Sequence, residues 1–376
     1  MTWRQKMNAL KIGLVAALLA SSVHTASAQI RVGQTAGFTG PVSAGVKETT
    51  DGAKLYFNAI NAKGGINGQK IELLSLDDKF DPKLAAENAR TLIEKDEVLA
   101  MFLTRGTPHT QAVIPVIDEH RVALVGPSTG AMVLHQPLQK HVFNVRATYQ
   151  REAERAITHL HSIGITRIGV IYVDDSFGED GLAGAEKGFI KTNLKPVVVE
   201  KFNRSKPDFA LITPKVVESK AQAILMVAAS QAIVDGLNAF RESGSQAQLV
   251  TLSNNASSGF IKSMGALGHG QIVMQVFPSE RSIASPLVRQ ALEMAKAQRV
   301  GPLSPAMLEG FAAAKVLVEG LRKAGRKPTR EKLITALESL RQFDVGGLKV
   351  TYTDSSHTGL EFVDLSIIGA DGQFKR

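Results

Sequence analysis

The chain has 376 residues, with 44 Lys and Arg against 35 Asp and Glu, one tryptophan and no cysteine. Lack of cysteine excludes a disulfide framework, a thiolate metal centre and a thiol-linked lipid anchor, so stability must come from packed apolar cores. The formal charge of +9 is dispersed, without a Lys/Arg run or interleaved aromatics, which argues against nucleic-acid binding.

The first element in chain order is a targeting segment. Arg4, Lys6 and Lys11 precede the apolar run "IGLVAALLA", and "HTASAQ" then offers small residues at Ala26 and Ala28. This order of charged, apolar and small residues predicts a secretory signal over 1–28, cleaved after Ala28. The apolar run falls well short of the ~20 residues a membrane span needs. The segment carries those three basic residues and no acid, so the 348-residue mature chain from Gln29 has a formal charge of +6. Such a chain is expected to be exported, free of the membrane, and long enough for two domains.

From there strands and helices alternate. "IRVGQTA" is followed by a helix expected from about Thr50 to Ala62, with Ala53, Tyr56, Phe57 and Ile60 on one face. "GGING" ends it, and "KIELLSLDD" reads as the next strand. Asp81-Pro82 supplies an N-cap and a first-turn proline for a helix that turns Ala85, Ala89, Leu92 and Ile93 inward. "VLAMFL", a helix and "VALVG" complete a first series, which implies a parallel sheet covered on both faces. A second series opens with a helix near Gln150–Ser162, whose expected inward stripe is Ala153, Ala156, Ile157, Leu160 and Ile163. Its strands are "RIGVIYVDD", "PVVVEKF", "AQAILMVAA", "AQLVTLS" and "QIVMQVF", and Pro214 interrupts one of its helices. Helices near Ser285–Gln298, Pro305–Ala324 and Thr329–Leu340 follow, then two strand-like runs, "GLKVTY" and "LEFVDLSII".

This order predicts two doubly wound α/β lobes: 29–146 with 278–343, and 147–277 with 344–376. The late helices would return to the first lobe and the last strands to the second, making several crossings and hence a hinge. In such sheets ligands bind beyond the carboxyl ends of strands, where helix N-termini present free N–H groups. Two neighbouring strands end in small polar residues, one in Arg105-Gly106-Thr107 and the other in Gly126-Pro127-Ser128-Thr129-Gly130. Hydroxyls there either cap helices or, with glycine permitting close approach, grip a carboxylate.

Catalytic and metal signatures are missing from the sequence. "GALGHG" lacks the strand-first context of a dinucleotide loop, and His159 and His161 are two apart on a helix and face different ways. "DDSFGEDG" lacks the ligand ladder of a calcium loop. No nucleophile elbow, phosphate loop or zinc motif occurs. Neither a catalytic residue set, nor a metal, nor a cofactor is expected.

Several stretches give the chain a family resemblance: "GFTGP" (37–41), "LYFNAINAKGGINGQKIEL" (55–73), "DDKFDP" (77–82), "GTPHTQAVIPV" (106–116), "VGPSTGA" (125–131), "VFNVRATY" (142–149), "GVIYVDDSFGEDGL" (169–182) and "GLEFVDLSIIGADGQF" (359–374). In that order they resemble the type I periplasmic binding proteins of the branched-chain amino acid (Leu/Ile/Val-binding) family. The resemblance implies a clamshell that captures an amino acid or related small carboxylate by hinge closure and delivers it to the permease subunits of an ABC transporter, acting as a monomer. It implies that Thr107, Ser128, Thr129 and Gly130 hold the ligand carboxylate, with Phe177 and Ser230 contributed by the second lobe. "SNNASSG" (253–259) matches the loop that often supplies an acid to the ligand ammonium, yet here it offers Asn254 and Asn255. A buried ammonium then needs another partner. Asp175 is a candidate, or else a helix cap, and Arg105 is an extra cation beside the carboxylate site. A small organic or aromatic acid would suit such a site. Two other readings stay open: a ligand-sensing receptor component, and an exported hydrolase on a similar scaffold.

Overall fold

The computed structural model describes residues 29–376; the expected signal segment, 1–28, lies outside them. Strands β1 (Ile30–Ala36), β2 (Ile71–Asp77), β3 (Ala100–Phe102), β4 (Ala123–Val125) and β5 (Val142–Phe143) form a parallel sheet in the order β2-β1-β3-β4-β5. Helices α1 (Ser43–Ala62), α2 (Pro82–Glu94) and α3 (Thr107–His120) connect them. The strands β3 and β4 are wholly apolar and wholly buried, as a sheet covered on both faces requires. Asp81 caps α2 through the amides of Lys83 and Leu84, and Pro82 follows it. Helix α1 begins well before the expected Thr50. Its first turns carry no repeating apolar stripe; Val42 and Val46 instead pack with Ala36, Phe38, Phe80 and Ala229.

The second sheet repeats the plan. Strands β6 (Ile168–Val173), β7 (Val198–Phe202), β8 (Ala223–Val227), β9 (Gln248–Thr251) and β10 (Ile272–Gln275) are parallel, and β13 (Asp364–Ile368) and β14 (Phe374–Lys375) add an antiparallel edge. Helices α4 (Tyr149–Ser162), α5 (Ser176–Thr192), α6 (Thr213–Ser219), α7 (Ser230–Glu242) and α8 (Ser258–Met264) surround it. Pro214 sits in the first turn of α6, where its missing N–H costs nothing. Ile163 departs from the expected stripe: it lies just past the end of α4 and is exposed.

Helices α9 (Pro286–Ala297), α10 (Pro305–Ala324) and α11 (Arg330–Glu338) bury Leu287, Phe311, Leu317 and Leu333 in the core of the first sheet. α10 crosses α1 closely, since a Cβ on Gly52 would stand 1.9 Å from the Met307 carbonyl oxygen. One stretch corrects the expected division. Residues 344–360 were expected with the second lobe, but Val345, Val350, Tyr352 and Leu360 are buried in the first lobe's core. "GLKVTY" contributes only β12 (Lys349–Val350), paired with β11 (Phe343–Asp344) outside either large sheet. The reason is apolar partnership: Tyr352 packs edge-on against Phe143 and its hydroxyl donates to the Asn144 carbonyl. Among the described residues the chain passes between the sheets three times: after β5, after β10 and before β13.

Candidate ligand-binding cleft

In both sheets the first strand lies between the second and the third, so the chain reverses direction across the sheet at β1/β3 and at β6/β8. Ligand sites form beyond the strand ends at such points. Beyond β3 and β4, Arg105 and Ser128 form an isolated parallel bridge, with the Ser128 amide donating to the Thr104 carbonyl at 2.7 Å. Arg105 Nη1 donates to Ser128 Oγ at 2.9 Å, and the Thr107 and Thr129 hydroxyls pair at 2.7 Å. Gly106 has φ +91°, and a Cβ there would stand 2.6 Å from His109 Nδ1, so only glycine fits. At Gly130 a Cβ would stand 2.5 Å from the Ala147 carbonyl oxygen.

These hydroxyls do not cap helices. The N-cap of α3 is Gly106, without a side-chain cap; Thr107 pairs instead with Thr129, and Ser128 accepts from Arg105. Thr107 opens α3, so free first-turn amides and the positive end of the helix dipole lie beside the hydroxyl pair.

The second lobe brings its own strand ends to the same place. Ser230 opens α7 and donates to Asn255 Oδ1 at 2.8 Å. Asn255 Nδ2 donates to the Ala228 carbonyl and the Thr251 hydroxyl, so this side chain is fully engaged within its own lobe. Asn254 differs. Its Nδ2 donates to Ala228, its backbone carbonyl accepts from Arg105 Nη2 at 2.6 Å, and its buried Oδ1 has no partner. Phe177 packs tilted on Tyr149 at 4.9 Å between ring centroids. Asp175 resolves as a cap: it accepts from the Phe177 and Gly178 amides and pairs with Arg204. With its oxygens so committed, it does not serve as the free counter-charge for an ammonium.

Other contacts carry the lobes together. Ser176 donates to Gln111, and Glu48 accepts from the Ser258 and Gly259 amides at the start of α8. Arg204 lies 5.2 Å from the Phe80 ring centroid, and Phe80 stacks on His109 at 4.2 Å. Burial, with the Arg204 charge nearby, pushes the His109 ring down to about 4, so it is neutral at pH 7. A cleft of about 750 Å³ remains between the lobes, with Phe80, Pro108, Phe202, Arg204 and Ala229 in its walls. Pro108 and Ala229 are the chain neighbours of Thr107 and Ser230, so the cleft adjoins the polar cluster.

A second polar cluster stands at the crossing after β5. Arg146 pairs with Glu152, donates to Ser253 Oγ at 2.6 Å, and lies 3.9 Å from Glu309. Its guanidinium sits 4.5 Å from the Tyr149 ring centroid. Burial pushes the Glu152 carboxyl and the Tyr149 hydroxyl up.

The structure thus gathers Arg105, Thr107, Ser128, Thr129, Gly130, Ser230, Asn254 and Phe177 at the junction. Sequence reasoning missed Phe80, His109, Tyr149 and Arg204. The first three lie inside quoted motifs without drawing notice, and Arg204 stands in a polar loop with no signal at all. Among the described residues no group of His, Cys, Asp and Glu is disposed to hold a metal ion, and no helix is long and apolar enough to cross a membrane.

Known proteins are similar to this chain over most of its length. A family model described as periplasmic binding protein matches residues 29–365. A substrate-binding periplasmic protein from Ralstonia solanacearum is similar in structure, with a TM-score of 0.84 and 32% identity over 92% of this chain and 99% of that one. The Leu/Ile/Val-binding protein BraC3 of Rhizobium johnstonii is 26% identical, covering 91% of this chain and 93% of its own length. A possible leucine/isoleucine/valine-binding protein from Rhodopirellula baltica aligns with a TM-score of 0.86 at 25% identity, over 95% of this chain and 98% of that one. With two doubly wound lobes meeting at a polar cleft and a family model spanning nearly all the described residues, the chain belongs to the periplasmic binding protein family.

Proposed function

We propose that the protein is the exported solute-binding component of an ABC importer, beginning at Gln29 and working as a monomer. It captures a small carboxylate, an amino acid or a related acid, between its lobes and hands it to the permease subunits. The first lobe, 29–146 with 278–360, supplies Arg105, Thr107, Ser128, Thr129 and Gly130 for the carboxylate. The second lobe, 147–277 with 361–376, closes over them with Phe177, Ser230 and Asn254. Closure excludes water and so strengthens each polar contact. It also makes one joint surface for the permease to read.

The observation that carries this reading is the bond from Arg105 to both lobes: Ser128 on its own side and the Asn254 carbonyl on the other. A ligand that orders this guanidinium ties closure to occupancy. The test is a thermal-shift screen of amino acids and small carboxylates, followed by titration of the hits. A true ligand should stabilise the protein by roughly 3–4 kcal/mol at 100–1,000 times its Kd and shrink the radius of gyration in solution scattering. Thr107→Ala and Ser128→Ala should each weaken binding by about ten- to a hundredfold, the worth of a hydrogen bond to a charged group. Unchanged affinity in both variants would refute the site, and an unchanged radius would refute closure.

A further inference from the structure

Arg105 is 6% exposed, and among the described residues no carboxylate lies within ion-pair distance of it. Its bonds go to a hydroxyl and a backbone carbonyl, both neutral. A guanidinium has five N–H donors in a planar fork that matches a carboxylate. Burying such a cation without an anion is costly, so the site is complete only with one. Beside it, a Cβ added to Gly45 of α1 would reach ordinary van der Waals contact with Arg105 Nη2, at 3.6 Å, and Ser257 Oγ, at 3.9 Å, without a clash.

Four acids around the junction already face partners of their own. Asp175 caps α5 and pairs with Arg204, and Glu48 takes two amides of α8. Glu152 binds Arg146 and Ser253, and Glu309 faces that same arginine at 3.9 Å with its Oε1 making no hydrogen bond. An ammonium group entering beside Arg105 would meet that guanidinium, which has no carboxylate within ion-pair distance. Beside Arg105 the second lobe's unsatisfied group is neutral: Asn254 Oδ1, an acceptor in a residue 8% exposed. It calls for a hydroxyl or amide N–H. Beyond Pro108 and Ala229 the 750 Å³ cleft offers Phe80, Val173, Phe202 and Pro207 to an apolar or aryl body, with Lys79, Arg204 and four aspartates also in its walls.

We infer that the solute is an organic acid without a free amino group: its carboxylate binds the Arg105 guanidinium, a neutral hydroxyl or amide donor meets Asn254 Oδ1, and an apolar body fills the outer cleft. This rests on the proposed carboxylate-capturing function, and it separates the ligand from the α-amino acids.

Matched pairs of probes test it on the wild-type protein at pH 7. Leucine is titrated against 2-hydroxy-4-methylpentanoate, and phenylalanine against 3-phenyllactate and 3-phenylpropanoate. The amine-free member of each pair should bind at least about tenfold tighter, a like-charge contact and a missing counter-ion being at stake. 3-Phenyllactate should exceed 3-phenylpropanoate by several-fold through Asn254. Asn254→Asp should reverse the order, weakening the hydroxy acid and admitting the amino acid, and a circular-dichroism spectrum confirms folding. Tighter binding of leucine or phenylalanine by the wild-type protein overturns this inference and leaves the carboxylate-binding reading standing. No binding by any of these carboxylates overturns both.

Discussion

Two arginines occupy corresponding places at the top of the first sheet. Arg105 lies three residues beyond the end of β3 and Arg146 three beyond the end of β5, and both are buried. Around Arg146 the chain supplies its own anions, Glu152 from α4 and Glu309 from α10, and Ser253 completes the cluster. Around Arg105 it supplies a hydroxyl and a carbonyl. The first arrangement is closed within the protein and ties the second lobe's α4 to the first lobe's α10. The second leaves a charge unanswered, which is how a site for an exogenous anion differs from a structural ion pair.

The comparison is broken most directly at Arg146. Arg146→Met strands two buried carboxylates and should cost about 3–5 kcal/mol in urea denaturation. Adding Glu152→Gln should recover part of that loss. A loss below ~1 kcal/mol would mean the cluster does not hold the crossing together.

A buried acid at the same seam provides the opposite charge. Asp180 Oδ1 accepts from the Met132 amide of the facing lobe and from Gln150, while Oδ2 is enclosed without a partner. Burial pushes this carboxyl up to about 6 from 3.8. The stability associated with the neutral acid is present below pH 3.8 and lost as pH rises through 6. Asp180→Asn cannot ionise, so its stability relative to wild type should rise between pH 4 and pH 7, by on the order of 2–3 kcal/mol. A flat difference across that window would place the carboxyl in water.

Closure can be probed away from either arginine. At Gly259 of α8 an added Cβ would stand 2.4 Å from the Cβ of Ala44 on α1, across the seam. Gly259→Ala should disfavour the closed form by about 1–3 kcal/mol, weakening ligand binding roughly five- to a hundredfold. The melting temperature of the ligand-free protein should hardly move. Equal losses in both measurements would show a packing defect rather than a hinge effect.

The smallest effect is expected on ligand-free stability in Arg105→Met, within about 0.5 kcal/mol of wild type. An open cleft hydrates the guanidinium, so removing it relieves nothing. A destabilisation approaching that of Arg146→Met would make Arg105 structural and erase the contrast.

The alternation of apolar strands and helices was legible in the sequence, because each pattern is local: β3 and β4 are continuous apolar runs, and α2 starts at its Asp81-Pro82 signal. The polar strand ends were legible too, since small hydroxyls and glycines after a buried strand have few reasons to be there. What local pattern does not contain is partnership. Asp175 reads as a cap before it reads as a counter-ion, and Arg204, from a loop with no signal, takes up its other oxygen. Asn254 and Asn255 read as a pair, yet one is spent within its own lobe and the other keeps an open acceptor. "GLKVTY" alternates like a sheet strand, but Phe143 and Asn144 take its tyrosine into the first lobe.

The sequence by itself therefore determined the elements, their two-lobed order and the neighbourhood of the cleft, because these follow from periodicity and chain direction. Only the tertiary structure decided which charges are answered. Ion pairing and desolvation depend on distances between residues far apart in the chain, such as the 149 positions between Arg105 and Asn254.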